Sequence, residues 1–491
     1  VAFAAVSSPV VVSGDEGSTT ARSDTERFLG PNVPWHEPRD RGVDVQDMQL
    51  QVTIDPGAAT VAGVVELRGK VVRAGAPLIL YAADLDIRKA AWLSAQGKET
   101  PVSVHVQGDK IQLKTPSAAA GAAFALRIQY TAAPKQGMYF VGPDKDEPDR
   151  PLHFHTQGEA IEARHWIPCP DDPDERFTWT VSITAPKRMQ TLSNGELQSD
   201  TTKKRSRTTV WRLDKPHPIY LLSVVGGPLV ETVHRKSPVR ISTWSFAKHA
   251  DRVAHNSRYL PKMMDFFNKI TGLPYPFSSY GQVFVHEFNS GGMENVTLTT
   301  LTHRAMGDAR SDLDRTVDGL LAHELAHQWF GDVVTCRTWG DIWLNESFAT
   351  FYQKLFSQHH YGEDRFAEEM AGARSSAFST DDKRYLRPIV SDRYKTPDEV
   401  FDTNSYPKGA WVLHMLRHKL GADVFDRAIA AYLQQHQFKS VETADLRRVL
   451  EAHSQQSLRG FFTRWLRQAG HPKIEVNLRW DEGKKRLHIE L

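Results

Sequence analysis

Only two cysteines, Cys169 and Cys336, occur in the 491 residues, too few for a disulfide framework or for a zinc site closed by thiolates. They fall in different expected domains, so pairing between them is not expected. No run of 18 apolar residues exists, which leaves no candidate for a membrane-spanning helix. An excess of either charge is missing too: 61 Lys plus Arg stand against 59 Asp plus Glu. Nothing therefore pulls the chain as a whole toward nucleic acid or an anionic membrane. The one basic cluster, Lys203-Lys204-Arg205-Ser206-Arg207, lies between strand-like stretches at 189–197 and 208–213 and reads as a solvated hairpin turn. What is present, 40% hydrophobic and 24% charged residues, suits large cores divided among roughly two to three domains.

Residues 1–40 are rich in Ser, Thr, Gly, Pro and charge and read as an extended or disordered tail. Their first 13 positions lack a Met and a basic stretch but are small and apolar, so the remnant of an export signal and a cytoplasmic chain are equally open. From 41 to 233, short alternating segments at 48–54, 64–71, 78–81, 102–106, 111–113 and 124–130, parted by Gly, Pro and Asp, predict an all-β domain. His153 and His155 sit two apart and are expected on one wetted strand face rather than at a metal. Strands at 239–244 and 282–286 then give way to helical spacing, as in 410–420, 423–434 and 458–468, until about residue 470. His414 and His418 read as ordinary helix residues. Residues 471–491 alternate like a hairpin.

The pentapeptide His323-Glu324-Leu325-Ala326-His327 is followed, after 18 residues, by Glu346. Residues four apart on a helix share a face, so His323 and His327 can point at one ion while Glu324 is turned toward a water beside it. Two imidazoles and a carboxylate with a fourth position open are the catalytic zinc pattern, and one zinc ion is expected. Zinc held so lowers the pKa of its water toward neutrality, Glu324 is placed to take the proton, and the implied chemistry is hydrolysis of an amide or ester. Apolar Val317, Leu320, Leu321, Leu325, Trp329 and Phe330 put the motif on a helix within 314–331 that stops at Gly331. A second amphipathic run, 341–352, carries Glu346, and the connection 332–339 is long enough to fold back on the first helix. Asp332 and Asp341 are the nearby candidates for holding the histidines from behind.

These motifs resemble the zinc aminopeptidase family of aminopeptidase N and leukotriene hydrolase, the gluzincin metallopeptidases, in which the third ligand lies within an Asn-Glu-Gly-Phe-Ala-like segment. Here that segment is Asn345-Glu346-Ser347-Phe348-Ala349. The family's Gly-Ala-Met-Glu-Asn motif appears as Gly291-Gly292-Met293-Glu294-Asn295. Gln157-Gly158-Glu159-Ala160 is similar to the segment that crosses from the first domain into the active site, and Ser405-Tyr406-Pro407-Lys408-Gly409 to the Tyr-x-Lys-Gly element. The resemblance implies that Glu294 grips the free amino group of a peptide within the Gly291, Gly292 and Met293 turn. It also implies that Gln157 and Glu159 line the amine end and that Tyr406 donates to the oxyanion. A terminal ammonium is recognised by fixed carboxylates through charge-assisted hydrogen bonds that also set the register of the scissile bond.

What the resemblance implies for the whole is an α+β multidomain chain. An all-β, saddle-like N-terminal domain would be followed by a thermolysin-like, mainly helical zinc catalytic domain over 234–470. Together they would remove N-terminal amino acids from peptides with a free N-terminus. Gly292 stands where the family usually has alanine and Ser347 where it usually has glycine; neither change removes a functional group. Residues 471–491 resemble the opening strands of a third domain, truncated or absent here, or an edge addition to the second. An endopeptidase would need no ammonium anchor, an epoxide hydrolase would need a lipid-shaped pocket, and a non-catalytic scaffold would be expected to have lost ligands or base. Preferred N-terminal residue, peptide length and oligomeric state are left open.

Overall fold

The computed structural model describes residues 33–38 and 40–490, so the expected tail and its export-signal remnant lie almost wholly outside the described residues. Alternation builds the first part of the chain. In the strand Val43–Asp55, Val45, Met48, Leu50, Val52 and Ile54 are buried while their neighbours are less so; the strand is bulged once, between Val45 and Asp47. Phe177–Pro186 repeats the pattern with Phe177, Trp179, Val181 and Ile183. Each such side chain withdrawn from water stabilises the fold by about 1.5–3 kcal/mol. The two strands pair in parallel inside an eight-stranded sheet. Its order is Glu196–Thr202, Ser206–His217, Phe177–Pro186, Val43–Asp55, Thr60–Val71, Ala123–Ala132, Leu85–Leu93, Glu99–Pro101. The hairpin expected around the basic cluster forms from the first two of these.

Two expectations fail here. The segment 102–106 is not one strand: Glu99–Pro101 ends the eight-stranded sheet, while Val106–Gln107 joins a three-stranded sheet with Lys110–Leu113 and Leu78–Tyr81. The residues between them cross from one sheet to the other and alternate without a ladder. His153 and His155 are not on a wetted face. Their strand, His153–Thr156, lies between Val224–Gly227 and Met138–Val141 in a four-stranded sheet, and all four of its residues are buried. The rings pack on Phe246, Tyr139 and Phe288, so the polar alternation reflects ring stacking inside the protein.

A five-stranded sheet follows, ordered Leu229–Arg235, Arg240–Phe246, Ser279–Val285, Leu298–Thr302, Gly292–Met293. Helices then dominate: α1 (Ala250–Asn256), α2 (Leu260–Ile270), α3 (Asp318–His327), α4 (Trp343–Tyr361), α5 (Glu363–Lys383), α6 (Gly409–Leu420), α7 (Ala422–His436), α8 (Thr443–Ser454) and α9 (Arg459–Leu466). The chain is thus α+β, mostly β to residue 246 and mainly helical from 250 to 466. Among the described residues no helix is long and apolar enough to cross a membrane. Cys169 and Cys336 are both free and buried. The last hairpin, Asn477–Asp481 with Arg486–Glu490, forms as expected and is exposed along nearly its whole length.

Arg176 joins the two parts. It is buried at the base of the Phe177–Pro186 strand and donates to the Asp332 carbonyl at 2.7 Å, to Thr335 Oγ1 and to the Pro216 carbonyl at 3.2 Å. The connection that leaves α3 is thereby fixed to the first sheet.

Candidate metal centre and its cleft

α3 is shorter than the apolar pattern suggested, because the chain turns at Ser311–Leu313 and enters the helix only at Asp318. Gly331 has φ 136°, a conformation that strains any side chain, and a methyl group there would stand 3.1 Å from His327 Nδ1. The helix has already ended at His327, and glycine at 331 lets the chain turn away while leaving room for the histidine. α4 begins at Trp343, which places Glu346 in its first turn, where the helix dipole favours a carboxylate.

Helical spacing and the packing of α3 on α4 bring three donor atoms together. His323 Nε2 and His327 Nε2 are 3.1 Å apart, and Glu346 Oε2 lies 3.4 Å from the first and 3.3 Å from the second. Ligands on a tetrahedral zinc at its usual bond lengths are about 3.3 Å from one another. Glu346 Oε2 is buried and has no hydrogen-bond partner, as expected of an atom turned toward an ion. The donor set, two imidazole nitrogens and one carboxylate oxygen, fits zinc, and the residues present fit the group. His327 Nδ1 is bonded to the Phe330 carbonyl at 2.9 Å, which holds Nε2 toward the point where the three donors converge. Neither expected aspartate does this. Asp341 is turned to Thr443 Oγ1 at 2.6 Å, and Asp332 is buried with neither carboxylate oxygen bonded.

The triad opens into a cleft of about 360 Å³ lined by Gln157, Glu159, Gly291, Gly292, Glu294, His323, Glu324, His327, Glu346 and Tyr406. Met293 is the one expected residue outside the lining; it is buried beneath, with Gln157 Nε2 at 3.4 Å from its sulfur. Leu320, Asp398 and Phe401 also line the cleft. Leu320 was read only as part of an apolar helix face, and Asp398 and Phe401 carried no motif beyond their nearness to Tyr406 in sequence.

Glu324 sits against the backbone of the Gly291–Asn295 turn: a methyl group at Gly292 would be 2.3 Å from its Oε1. A side chain at Gly292 would therefore require the Glu324 carboxyl to shift. The turn itself is held by Gln328, the residue after the second histidine, which sequence reasoning missed. Its Nε2 donates to the Glu294 carbonyl at 2.9 Å and its Oε1 accepts from the Thr297 amide at 2.9 Å. Asn194 Nδ2 donates to the Val296 carbonyl at 2.6 Å from the other side. Thr297 has φ 63°, a left-handed conformation that costs a β-branched residue about 1–3 kcal/mol, and these bonds hold it there. The sequence carried no signal for it beyond its place directly after His327.

Tyr406 lies in a π-helical turn, Asn404–Lys408, that accommodates Pro407. Its ring lies nearly parallel to that of His323, at 15° and 6.0 Å. Three interactions anchor the turn. Ser347 Oγ donates to the Ser405 carbonyl at 2.5 Å, so the serine that replaces the family's glycine ties α4 to the tyrosine. Arg387 donates to Ser405 Oγ at 2.9 Å and to Asp402, and Lys408 is paired with Asp381 at 2.7 Å.

Charge in the cleft is one-sided, since among the described residues no lysine or arginine lines it. Burial raises Glu159 well above the usual carboxylate range, with Glu294 and Glu346 adding to it, and burial raises Glu294 and Glu324 as well. Burial works the same way on Glu346, but His327 and His323 hold it down to about 2. His327 is pushed well above its ordinary value by Glu294 and Glu346 against the effect of burial. Gln157 Oε1, Glu159 Oε1 and Glu294 Oε1 are buried acceptors without hydrogen-bond partners. Carboxylate oxygens of Glu159, Glu294 and Glu346 lie within 4.8 Å of one another. Such a site asks for cations.

Comparison with known proteins agrees with this geometry. Residues 44–221 match the peptidase M1 N-terminal domain and residues 257–465 the peptidase family M1 domain. Aminopeptidase M1 of Arabidopsis thaliana is 30% identical over 68% of this chain and 38% of its own length. Glutamyl aminopeptidase of Homo sapiens is 32% identical over 66% of this chain and 35% of its own length. Tricorn protease-interacting factor F2 of Thermoplasma volcanium is 30% identical over 66% of this chain and 42% of its own length. The matched region thus spans well under half of these relatives. With both of its parts matched in order and the signature residues gathered in one cleft, the chain belongs to peptidase family M1.

Proposed function

We propose that this chain is a zinc-dependent aminopeptidase in which His323, His327 and Glu346 hold one zinc ion and the peptide is gripped by its free amino terminus. The observation that carries the reading is the trio of buried, unpartnered acceptors on Gln157, Glu159 and Glu294, set beside the metal triad in a cleft that, among the described residues, no lysine or arginine lines. An α-ammonium, with three donors and one positive charge, satisfies all three acceptors, whereas an interior peptide bond offers one amide proton and no charge. The names of the Arabidopsis and human relatives point the same way.

Zinc bound there supplies Lewis acidity at the scissile carbonyl and a water of near-neutral pKa. Glu294 and Glu159 fix the amino end, which sets how far the first carbonyl reaches toward the triad. Glu324 takes a proton from the attacking water, and its pKa, raised by burial, suits it to hand that proton to the departing amine. Tyr406, whose phenol burial keeps protonated well beyond its ordinary range, donates to the oxyanion developing on the carbonyl.

The test uses aminoacyl-anilides and their N-acetylated counterparts, with and without a chelator. Cleavage of the free amines alone, abolished by the chelator, is the expected result. Equal cleavage of blocked substrates would mean an endopeptidase, and no cleavage of either would return the scaffold and epoxide readings. In the same assay Tyr406→Phe should lower kcat by about 10²–10³-fold with little change in KM, as loss of one oxyanion donor does. A kcat within threefold of the parent would remove Tyr406 from the mechanism.

A further inference from the structure

The parallel strands Ser279–Val285 and Leu298–Thr302 run side by side with Val285 opposite Thr302. The residues that follow, His286 and His303, therefore leave the sheet together, and their rings stack at 3.9 Å. A third imidazole, His249, comes from the turn Ala247–His249 at the end of the neighbouring parallel strand, Arg240–Phe246. Its ring is 5.7 Å from His286 and 6.3 Å from His303. From the first part of the chain, the loop before His153–Thr156 brings Glu147 Oε2 to 3.6 Å from His286 Nδ1. Arg150 steadies that carboxylate at 3.0 Å.

These imidazoles are poorly accounted for as they stand. His286 Nδ1 and Nε2, His303 Nδ1 and His249 Nε2 are buried without a hydrogen-bond partner, and buried ring nitrogens are normally satisfied. One ligand atom each from Glu147, His286 and His303 lies within 4.8 Å of the other two. Burial holds His286 far down, to about 3, and lowers His249 and His303 too, so the rings are neutral, the form that coordinates metals. Imidazole with one carboxylate selects zinc, nickel, cobalt or copper over the all-oxygen preferences of calcium and magnesium.

We propose that Glu147, His286 and His303, with His249 beside them, form a second metal site that takes a divalent transition-metal ion. The site is separate from the cleft and shares no residue with it. It binds the loop at 147 to the sheet whose next turn carries Glu294, so the ion acts as a clamp between the first part of the chain and the substrate-facing segment. The proposal stands whether or not the chain is an aminopeptidase.

The experiment counts metal. Chelator-stripped full-length protein is loaded with Zn²⁺ or Co²⁺, freed of excess by gel filtration, and analysed by atomic emission, alongside the His323→Ala/His327→Ala variant. We expect two equivalents in the parent and one in the variant, with thermal unfolding of the variant still raised by Zn²⁺. Adding His303→Gln to that variant should abolish both the remaining equivalent and the thermal response. If His303→Gln fails to fold, Glu147→Gln carries the test: its side chain is 44% exposed, and the substitution should weaken the remaining equivalent at least tenfold. No metal bound by the His323→Ala/His327→Ala variant, or an equivalent unaffected by the Glu147 and His303 changes, would overturn the proposal.

Discussion

Replacing Glu324 with glutamine should leave the metal content of the protein unchanged and lower kcat on a free-amine substrate by about 10²–10⁴-fold, the usual contribution of a positioned acid or base. The two effects separate because Glu324 is not one of the three converging donors. Its carboxyl lies over the Gly291–Asn295 turn, with Oε1 in the space that a side chain at Gly292 would fill. Glutamine has the same shape, fits the same gap and cannot accept the proton. Because Gln328 and Asn194 clamp that turn, the substitution has little to move, and KM should change less than threefold. Kinetics and metal analysis on one preparation decide the matter. A variant that keeps a tenth or more of the parent rate would exclude Glu324 as the base.

The largest effect on stability is expected at Lys408. Its ammonium is buried and donates to both oxygens of Asp381, at 2.9 and 2.7 Å, and to Asn404 Oδ1 at 3.2 Å. Asp381 lies near the end of α5, so this pair secures the Tyr406 turn to a helix distant in sequence. Lys408→Met takes the ammonium from a buried carboxylate, leaving it His471 Nδ1 at 3.2 Å, and should cost toward the lower end of about 3–5 kcal/mol, while replacing both Lys408 and Asp381 with apolar residues should recover most of the loss. Urea unfolding of Lys408→Met, Asp381→Leu and the double variant measures the coupling. Additive losses would mean that the pair contributes nothing as a pair. Since Lys408 is two residues from Tyr406, the single variant should also lose activity before it unfolds.

The convergence of His323, His327 and Glu346 was legible because it depends on helical spacing and one short connection. The cleft residues Gln157, Glu159, Glu294 and Tyr406 lie far apart in the chain and were reached only through resemblance to a family's motifs. What escaped both routes were groups whose roles depend on tertiary packing. The Phe330 carbonyl behind His327 belongs to the backbone and leaves no mark on residue type. Gln328 had to be seen buried before its amide could be recognised as a clamp. His153 and His155 were misjudged because alternation on a strand tells which residues share a face but not what covers that face. The stretch 102–106 alternates well enough for a strand, yet its ends belong to two different sheets.

The clamp on the Glu294 turn has a further consequence for backbone dynamics. Loop amides commonly exchange their hydrogens quickly, but the Thr297 amide donates to the buried side chain of Gln328, just past the end of α3, and the Leu298 amide donates to the Asn295 carbonyl at 2.9 Å within the same turn. The first of these cannot open unless Gln328, and with it the end of the helix bearing the two histidines, withdraws. In deuterium-exchange measurements the Thr297 amide should therefore exchange as slowly as the sheet strands beside it, making it a reporter of when the helix that carries His323 and His327 lets go of the fold.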